Sequence, residues 1–262
     1  MSTPDRSNAS TADGPVIVGL DCGWLVTQQR TLVDGGSTRS MRIPIPAWLV
    51  RHPRGDVLFD AGLHPSLADG PDGLGAMAKL FRPELSAGGS VGARLAEHDV
   101  DPNGRFDVVV SHCHFDHVGG LCDLPNVRLV VHRDEWSAAT RDETANTGGY
   151  DRSLHDLGHD VLRVDGAHDL FGDGSVVTMP TPGHTCGHQS LRVATADGPV
   201  VLTADACYFS HTLDDEVLPP FAFDREQQLR SLGLLRRARA AGARIVPGHD
   251  ATVFSTLMRP GA

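Results

Sequence analysis

The 262-residue sequence predicts an α+β fold, with sheets inside and helices outside. Three observations carry that expectation. Short β-like runs dominate both halves, helix-like segments follow them in each half, and neither a fixed-period repeat nor an internal linker divides the chain.

In chain order, Val16–Leu20, Trp24–Val33, Trp48–Val50 and Val57–Phe59 are β-like runs punctuated by Gly and Pro, as in hairpins of an antiparallel sheet. From His64 to about Asn103 Gly and Pro become frequent, and two helix-like pieces stand out, Leu74–Phe81 and Val91–His98. A 3.6-residue spacing puts Leu74, Met77, Ala78 and Phe81 on one face, a stripe that reads first as core. Phe106–Val110 is apolar except for Asp107 and predicts a buried strand. A strand over Arg128–Val131, a helix over Arg133–Arg141 and strands over Val161–Val164, Val176–Met179, Ser190–Ala194 and Val200–Thr203 follow. Asp224 can accept the free N–H groups of a helix running to about Ala240, and Gly242 is placed to end it. A strand over Arg244–Val246 and a short helix complete the chain.

Composition narrows the partners. Residues 1–14 lack the apolar stretch of a secretion signal and read as a disordered tail, leaving 15–262 as one domain. With 33 acidic and 23 basic residues the formal charge is −10, which repels phosphate backbones, so nucleic acid is not expected as a partner. Arg230, Arg236, Arg237, Arg239 and Arg244 read as a solvated helix face. No apolar run approaches the ~20 residues that span a membrane. Five cysteines without a CxxC pair suit a reducing cytoplasm better than a disulfide framework. Oligomeric state is not set by the sequence.

Fourteen histidines direct attention to metal chemistry. Ser111-His112-Cys113-His114-Phe115-Asp116-His117-Val118-Gly119-Gly120 leaves the buried strand directly. In extended backbone alternate side chains share a side, so His112, His114 and Asp116 can converge while Cys113 and Phe115 turn inward. His117 reaches a neighbouring point if the chain bends, and the two glycines make a bend cheap. Composition alone gives such a pattern a chance on the order of 0.5%. Thr181-Pro182-Gly183-His184, Leu202-Thr203-Ala204-Asp205 and Val246-Pro247-Gly248-His249 each run from a strand into a small-residue turn and then a candidate ligand.

The string HCHFDH followed by His184, Asp205 and His249 resembles the metal-binding pattern of the metallo-β-lactamase superfamily, over roughly residues 57–249. That resemblance implies a four-layer αββα sandwich. It implies two divalent cations, zinc being the first choice, with His112, His114 and His184 on one, Asp116, His117 and His249 on the other, and Asp205 bridging. Asp60 matches an acid that hydrogen-bonds a ligand histidine. Imidazole and carboxylate ligands suit zinc and its neighbours, and two such ions generate a bridging hydroxide nucleophile near neutral pH. At His114 the oxygen-reducing branch of the superfamily has a glutamate, so histidine there implies hydrolysis.

Asp205-Ala206-Cys207-Tyr208 resembles the N-acyl homoserine lactonases, in which a phenol three residues after the bridging acid hydrogen-bonds the lactone carbonyl. The expected reaction is lactone opening by the bridging hydroxide, with Tyr208 stabilising the oxyanion and Asp116 passing a proton to the leaving oxygen. Another hydrolase on the same scaffold, such as a glyoxalase II-like thioesterase, an arylesterase or a broad lactonase, is the alternative. The small-molecule substrate would be an acyl lactone or ester, with Leu74, Met77, Leu80 and Phe81 as candidate walls of an apolar acyl pocket. His188 reads as structural, and His132, His155, His159, His168 and His211 as surface or loop residues. Cys113, Cys186 and Cys207 read as small buried side chains.

Overall fold

A computed structural model describes residues 14–141 and 149–258; the tail read at 1–14 lies, except for Gly14, outside them. Eleven strands are described: β1 (Val16–Gln28), β2 (Ser40–Arg51), β3 (Val57–Phe59), β4 (Arg82–Glu84), β5 (Asp107–Val109), β6 (Arg128–His132), β7 (Asp160–Val164), β8 (Val176–Pro180), β9 (Gln189–Thr195), β10 (Gly198–Leu202) and β11 (Arg244–Val246). They form a seven-stranded sheet in the order β4-β1-β2-β3-β5-β6-β7 and a four-stranded sheet in the order β11-β10-β9-β8. The helices are α1 (Gln29–Leu32), α2 (Val91–Glu97), α3 (Phe115–Val118), α4 (Arg133–Ala139), α5 (Arg152–His155), α6 (Ser210–Asp215), α7 (Arg225–Ala240) and α8 (Ala251–Leu257), with short 3-10 turns between some of them.

The layering follows from side-chain alternation. On β3, β5 and β6, Val57, Phe59, Val109 and Val130 face one way and meet Val176, Leu191, Val193, Val200 and Leu202 of the smaller sheet. Their neighbours Leu58, Val108, Leu129 and Val131 face the other way and pack with Val91 and Leu95 of α2. On β10, Val201 turns from the inter-sheet core towards Leu232 and Leu235 of α7. Strands buried on both faces read as unbroken apolar runs, and β3, β5, β6 and β7 are paired in parallel. The result is the expected helix–sheet–sheet–helix stack.

Several element boundaries differ from expectation. Val16–Leu20 and the start of the second run are one strand, β1, whose register against β2 shifts between Asp21 and Trp24. The predicted Trp24–Val33 strand stops at Gln28 because the chain turns into α1. β2 begins eight residues before Trp48, through Pro44 and Pro46, which disguise a strand in sequence. The helix expected over Leu74–Phe81 is instead a 3-10 stretch, Pro71–Lys79, broken at Gly75 (φ 53°, ψ −125°), and Ala78 is exposed. Among the described residues no helix is long and apolar enough to cross a membrane.

Candidate metal centre

All seven predicted ligands come together at one edge of the two sheets. β5 delivers His112 and His114, and the turn after β10 delivers Asp205. The turn after β8 presents His184 and the turn after β11 presents His249. The local geometry of the first segment departs from the extended reading. His114 is the N-cap of α3, so Asp116 and His117 sit on one helical turn, and the helix brings His117 round to the site. The two glycines serve close approach instead of a bend. A Cβ on Gly119 would lie 2.4 Å from the His64 nitrogen, and one on Gly120 would lie 2.2 Å from the Ala61 carbonyl oxygen.

The ligand atoms form two groups, His112, His114, His184 and Asp205 in one and Asp116, His117 and His249 in the other. In the first, His114 Nδ1 is 3.0 Å from His112 Nε2 and 3.0 Å from His184 Nε2, and the last two are 3.2 Å apart. Nitrogens about 2.0–2.1 Å from a tetrahedral cation lie roughly this far from one another, so the triangle fits a metal. Asp205 faces both groups. Its Oδ2 is 3.2 Å from His184 Nε2, while its Oδ1 is 2.9 Å from His249 Nε2 and 3.1 Å from His117 Nε2. Nε2 of His117 is buried and makes no hydrogen bond despite that closeness, as expected for two lone pairs aimed at a shared point. Asp116 Oδ2 lies 3.7 Å from His117 Nε2 and 3.9 Å from His249 Nε2.

The far side of the rings is held as well, which fixes their tautomers. His117 Nδ1–H donates to Asp60 Oδ2 at 2.8 Å. Ser111 Oγ–H donates to the same oxygen at 2.8 Å, leaving its lone pairs for His112 Nδ1–H at 3.0 Å. His249 Nδ1–H donates to the Pro44 carbonyl at 2.9 Å. Asp60 thus occupies the supporting position expected of it.

Burial is the largest influence on every ring. It pushes His112 and His184 well below the ordinary imidazole pKa and His114 down to about 4, keeping their lone pairs free of protons. At His117 and His249 burial acts in the same sense, but the carboxylates of Asp205 and Asp116 outweigh it and raise both. Asp205 shows the converse. Burial would raise its carboxyl, yet His249, His117 and His184 hold it well below the usual range. A cation in the second group would replace the protons that its carboxylates favour on His117 and His249, while the first group offers rings already free of protons.

Two connected spaces adjoin the ligands. A small inner chamber is lined by His114, Asp116, His184, Asp205, Tyr208 and His249, with Phe81, Phe115 and Ile43 among its apolar walls. An outer cavity of about 480 Å³ has Met77, Leu80, Phe81, Tyr150, Phe221 and Phe223 in its walls and reaches His114 and His184. Tyr208 is buried, with its hydroxyl 3.4 Å from His184 Nδ1. Of the candidate pocket residues Met77, Leu80 and Phe81 line this cavity, whereas Leu74 is buried in the apolar cluster beneath.

A sequence model of the metallo-beta-lactamase superfamily matches residues 41–249. The chain belongs to that superfamily. N-acyl homoserine lactonase AttM of Azorhizobium caulinodans is 32% identical over 240 residues, spanning 87% of this chain and 90% of that protein. N-acyl homoserine lactonase AiiA of Bacillus thuringiensis subsp. kurstaki is 30% identical over 240 residues, spanning 87% and 92%. The structure of an N-acyl homoserine lactone hydrolase with the product N-hexanoyl-L-homoserine at its catalytic metal center superposes with a TM-score of 0.82. That pair is 25% identical and covers 92% of this chain and 95% of the other. The superfamily's fold and its lactonase branch are therefore the setting in which these residues act.

The remaining histidines and cysteines follow expectation in part. His155, read as a surface or loop residue, is instead buried on α5, with Nε2–H donating to the Ala139 carbonyl at 3.2 Å. His132 caps α4, accepting from the Asp134 amide, and His188 is buried beside His112, its Nδ1 2.9 Å from Thr181 Oγ1. Cys113 and Cys207 are buried as read and Cys186 half-buried; burial raises all three thiols, Cys207 to about 12 and Cys186 to about 11, which disfavours thiolate ligation. Phe221 and Phe223 belong to the string Phe221-Ala222-Phe223-Asp224, which resembles the N-acyl homoserine lactonases, but Glu135 and Tyr150 carried no sequence signal. Neither lies in a motif of alternating ligands, and Glu135 occupies the third position of α4, where an acid is ordinary.

Proposed function

We propose that this protein is a two-metal hydrolase that opens the lactone ring of N-acyl homoserine lactones. His112, His114 and His184 would hold one divalent cation and Asp116, His117 and His249 the other, with Asp205 facing both groups; the donor set suits zinc. The carrying observation is the position of Tyr208. Its hydroxyl stands in the wall of the inner chamber beside the ligands, and that chamber opens into the apolar outer cavity. A small polar ring bearing an apolar tail matches those two spaces in order. The names of the curated relatives point to the same substrate.

Divalent cations held there would make a bound water acidic enough to attack near neutral pH and would polarise the ester carbonyl. The chain supplies the rest. Tyr208 O–H donates to the oxygen on which charge develops as the carbonyl carbon becomes tetrahedral. Asp116, at the chamber wall, takes the proton that the attacking water gives up and passes it to the departing ring oxygen as the acyl–oxygen bond breaks. Phe81, Phe115 and Ile43 keep bulk water out of the chamber, which strengthens both interactions.

The test is mass-spectrometric detection of ring-opened product from a series of acyl homoserine lactones, run beside thioesters and phosphodiesters. Ring opening of the lactones, well above turnover of the other two classes, is expected. A fully metallated protein that ignores every lactone, or prefers a thioester, would reject the assignment. Tyr208→Phe should keep its metal and lose about 10²–10³ in kcat. Unchanged kinetics would remove Tyr208 from the reaction.

A further inference from the structure

Two separate loops supply the three-histidine group, the segment 112–114 after β5 and the turn 181–188 between β8 and β9. One buried carboxylate joins them. Glu135 Oε1 accepts from the Cys113 amide at 2.9 Å and from the Tyr150 hydroxyl at 3.1 Å. Glu135 Oε2 accepts from Thr185 Oγ1 at 2.6 Å and from the Gly187 amide at 3.2 Å. Cys113 lies between His112 and His114, and Thr185 follows His184 directly. The approach is close: a Cβ on Gly187 would lie 2.1 Å from the Glu135 nitrogen. Tyr150 ties in a third element, since it bridges to His114 in β fashion and its ring lies 5.1 Å from the His114 ring.

An acid at the third position of a helix ordinarily folds back on its own first turn. Glu135 does not: among the described residues, the hydrogen bonds to its carboxylate come from the two ligand loops and from Tyr150, while the His132 side chain caps α4. We infer that Glu135 is a positioning residue for the His112–His114–His184 group, setting the spacing of its three nitrogens by clamping the two loops that carry them. The second group is supported by Asp60, which also reaches His112 through Ser111, and by the Pro44 carbonyl, and neither touches Glu135. The clamp is therefore specific to one cation. This inference rests on the metal assignment proposed above.

Glu135→Gln separates the clamp from mere filling of space. The amide keeps the shape and one acceptor oxygen. Its NH₂ must face either the Cys113 or the Gly187 amide, and a backbone N–H cannot turn round to accept as a hydroxyl can. The experiment dialyses zinc-loaded wild type, Glu135→Gln, His249→Ala and the double variant against a graded series of chelator concentrations and measures zinc per chain by mass spectrometry. The thermal midpoint of each metal-free protein is recorded alongside. Wild type should hold two ions and His249→Ala one. The double variant should lose that remaining ion with an affinity weakened roughly 10- to 100-fold relative to His249→Ala. Glu135→Gln alone should retain one ion where wild type retains two. Should Glu135→Gln not fold, Thr185→Val, which removes a single donor, carries the test with a several-fold weakening at an unchanged thermal midpoint. Equal affinity with and without the clamp overturns the inference, as does an equal loss from both groups. A wild-type protein that binds no zinc overturns the metal assignment itself.

Discussion

Asp60 shows how much one side chain can carry at this site. It adopts a left-handed backbone conformation (φ 61°), which aspartate tolerates better than most residues. Its two oxygens receive the Ser111 amide at 2.7 Å, the Ser111 hydroxyl and His117 Nδ1–H. Asp60→Ala leaves a buried amide and a buried ring nitrogen without partners, at about 1–3 kcal/mol each. A lower urea midpoint, and weaker zinc binding by isothermal titration, are expected; an unaltered midpoint would show that water replaces the carboxylate. His155 offers a pH test away from the ligands. Burial lowers its pKa from the ordinary 6.5, so the folded protein keeps it neutral. Below about 6.5 the unfolded chain takes up a proton that the native state resists, so this residue costs stability as pH falls through that value. His155→Gln should narrow the gap between thermal midpoints at pH 7.5 and 5.5, and an unchanged gap would contradict it.

At the scale of elements, α7 anchors the site from outside. Its N-cap Asp224 accepts from the Gln227 amide at 2.9 Å, as its place in the sequence predicts. Asp224 N–H also donates to the Gly183 carbonyl, Ser231 Oγ–H to the Pro182 carbonyl and Gln228 Nε2–H to the Asp205 carbonyl. Removing the cap in Asp224→Ala should cost about 1 kcal/mol, or roughly 2–4 °C in Tm. Calorimetry showing no shift would mean that the rest of the helix holds its first turn without help. The β5, β6 and β7–β11 strands, the N-cap of α7 and the clustering of the seven candidate ligands were legible because each rests on a short-range signal: an apolar run, a cap residue, or a His or Asp after a strand. β2 was only partly legible, since its prolines mimic a loop while pairing with β1 and β3 holds the strand extended. The Pro71–Lys79 segment misled for the opposite reason. Its apolar spacing suits a helix, but Gly75 takes a backbone angle that a helix does not allow. Glu135 and Tyr150 stayed hidden because their meaning lies in partners distant in sequence.

Across the whole molecule, the site joins both sheets, so occupancy and global stability are linked. A ligand at 1,000 times its Kd adds about 4 kcal/mol to the folded state. Zinc should therefore raise Tm and a chelator should lower it, in a scan that also reports metal content; a Tm indifferent to zinc would separate the site from the fold. The outer cavity gives a second prediction at this scale. Phe223, 68% exposed, and Leu80, 49% exposed, are the lining residues of this cavity that reach furthest into solvent among its large apolar side chains. Phe223→Ser should raise KM for long acyl chains and spare short ones, because only a long tail reaches that rim; a uniform change across the series would place the rim outside the binding path. The hydrogen bond from His249 to Pro44 reaches across 205 positions of the chain. During synthesis the ring that completes the second cluster leaves the ribosome 205 residues after the carbonyl that aims it. A growing chain thus cannot close this cluster until all eleven described strands have been made, and the wait is set by sequence separation alone.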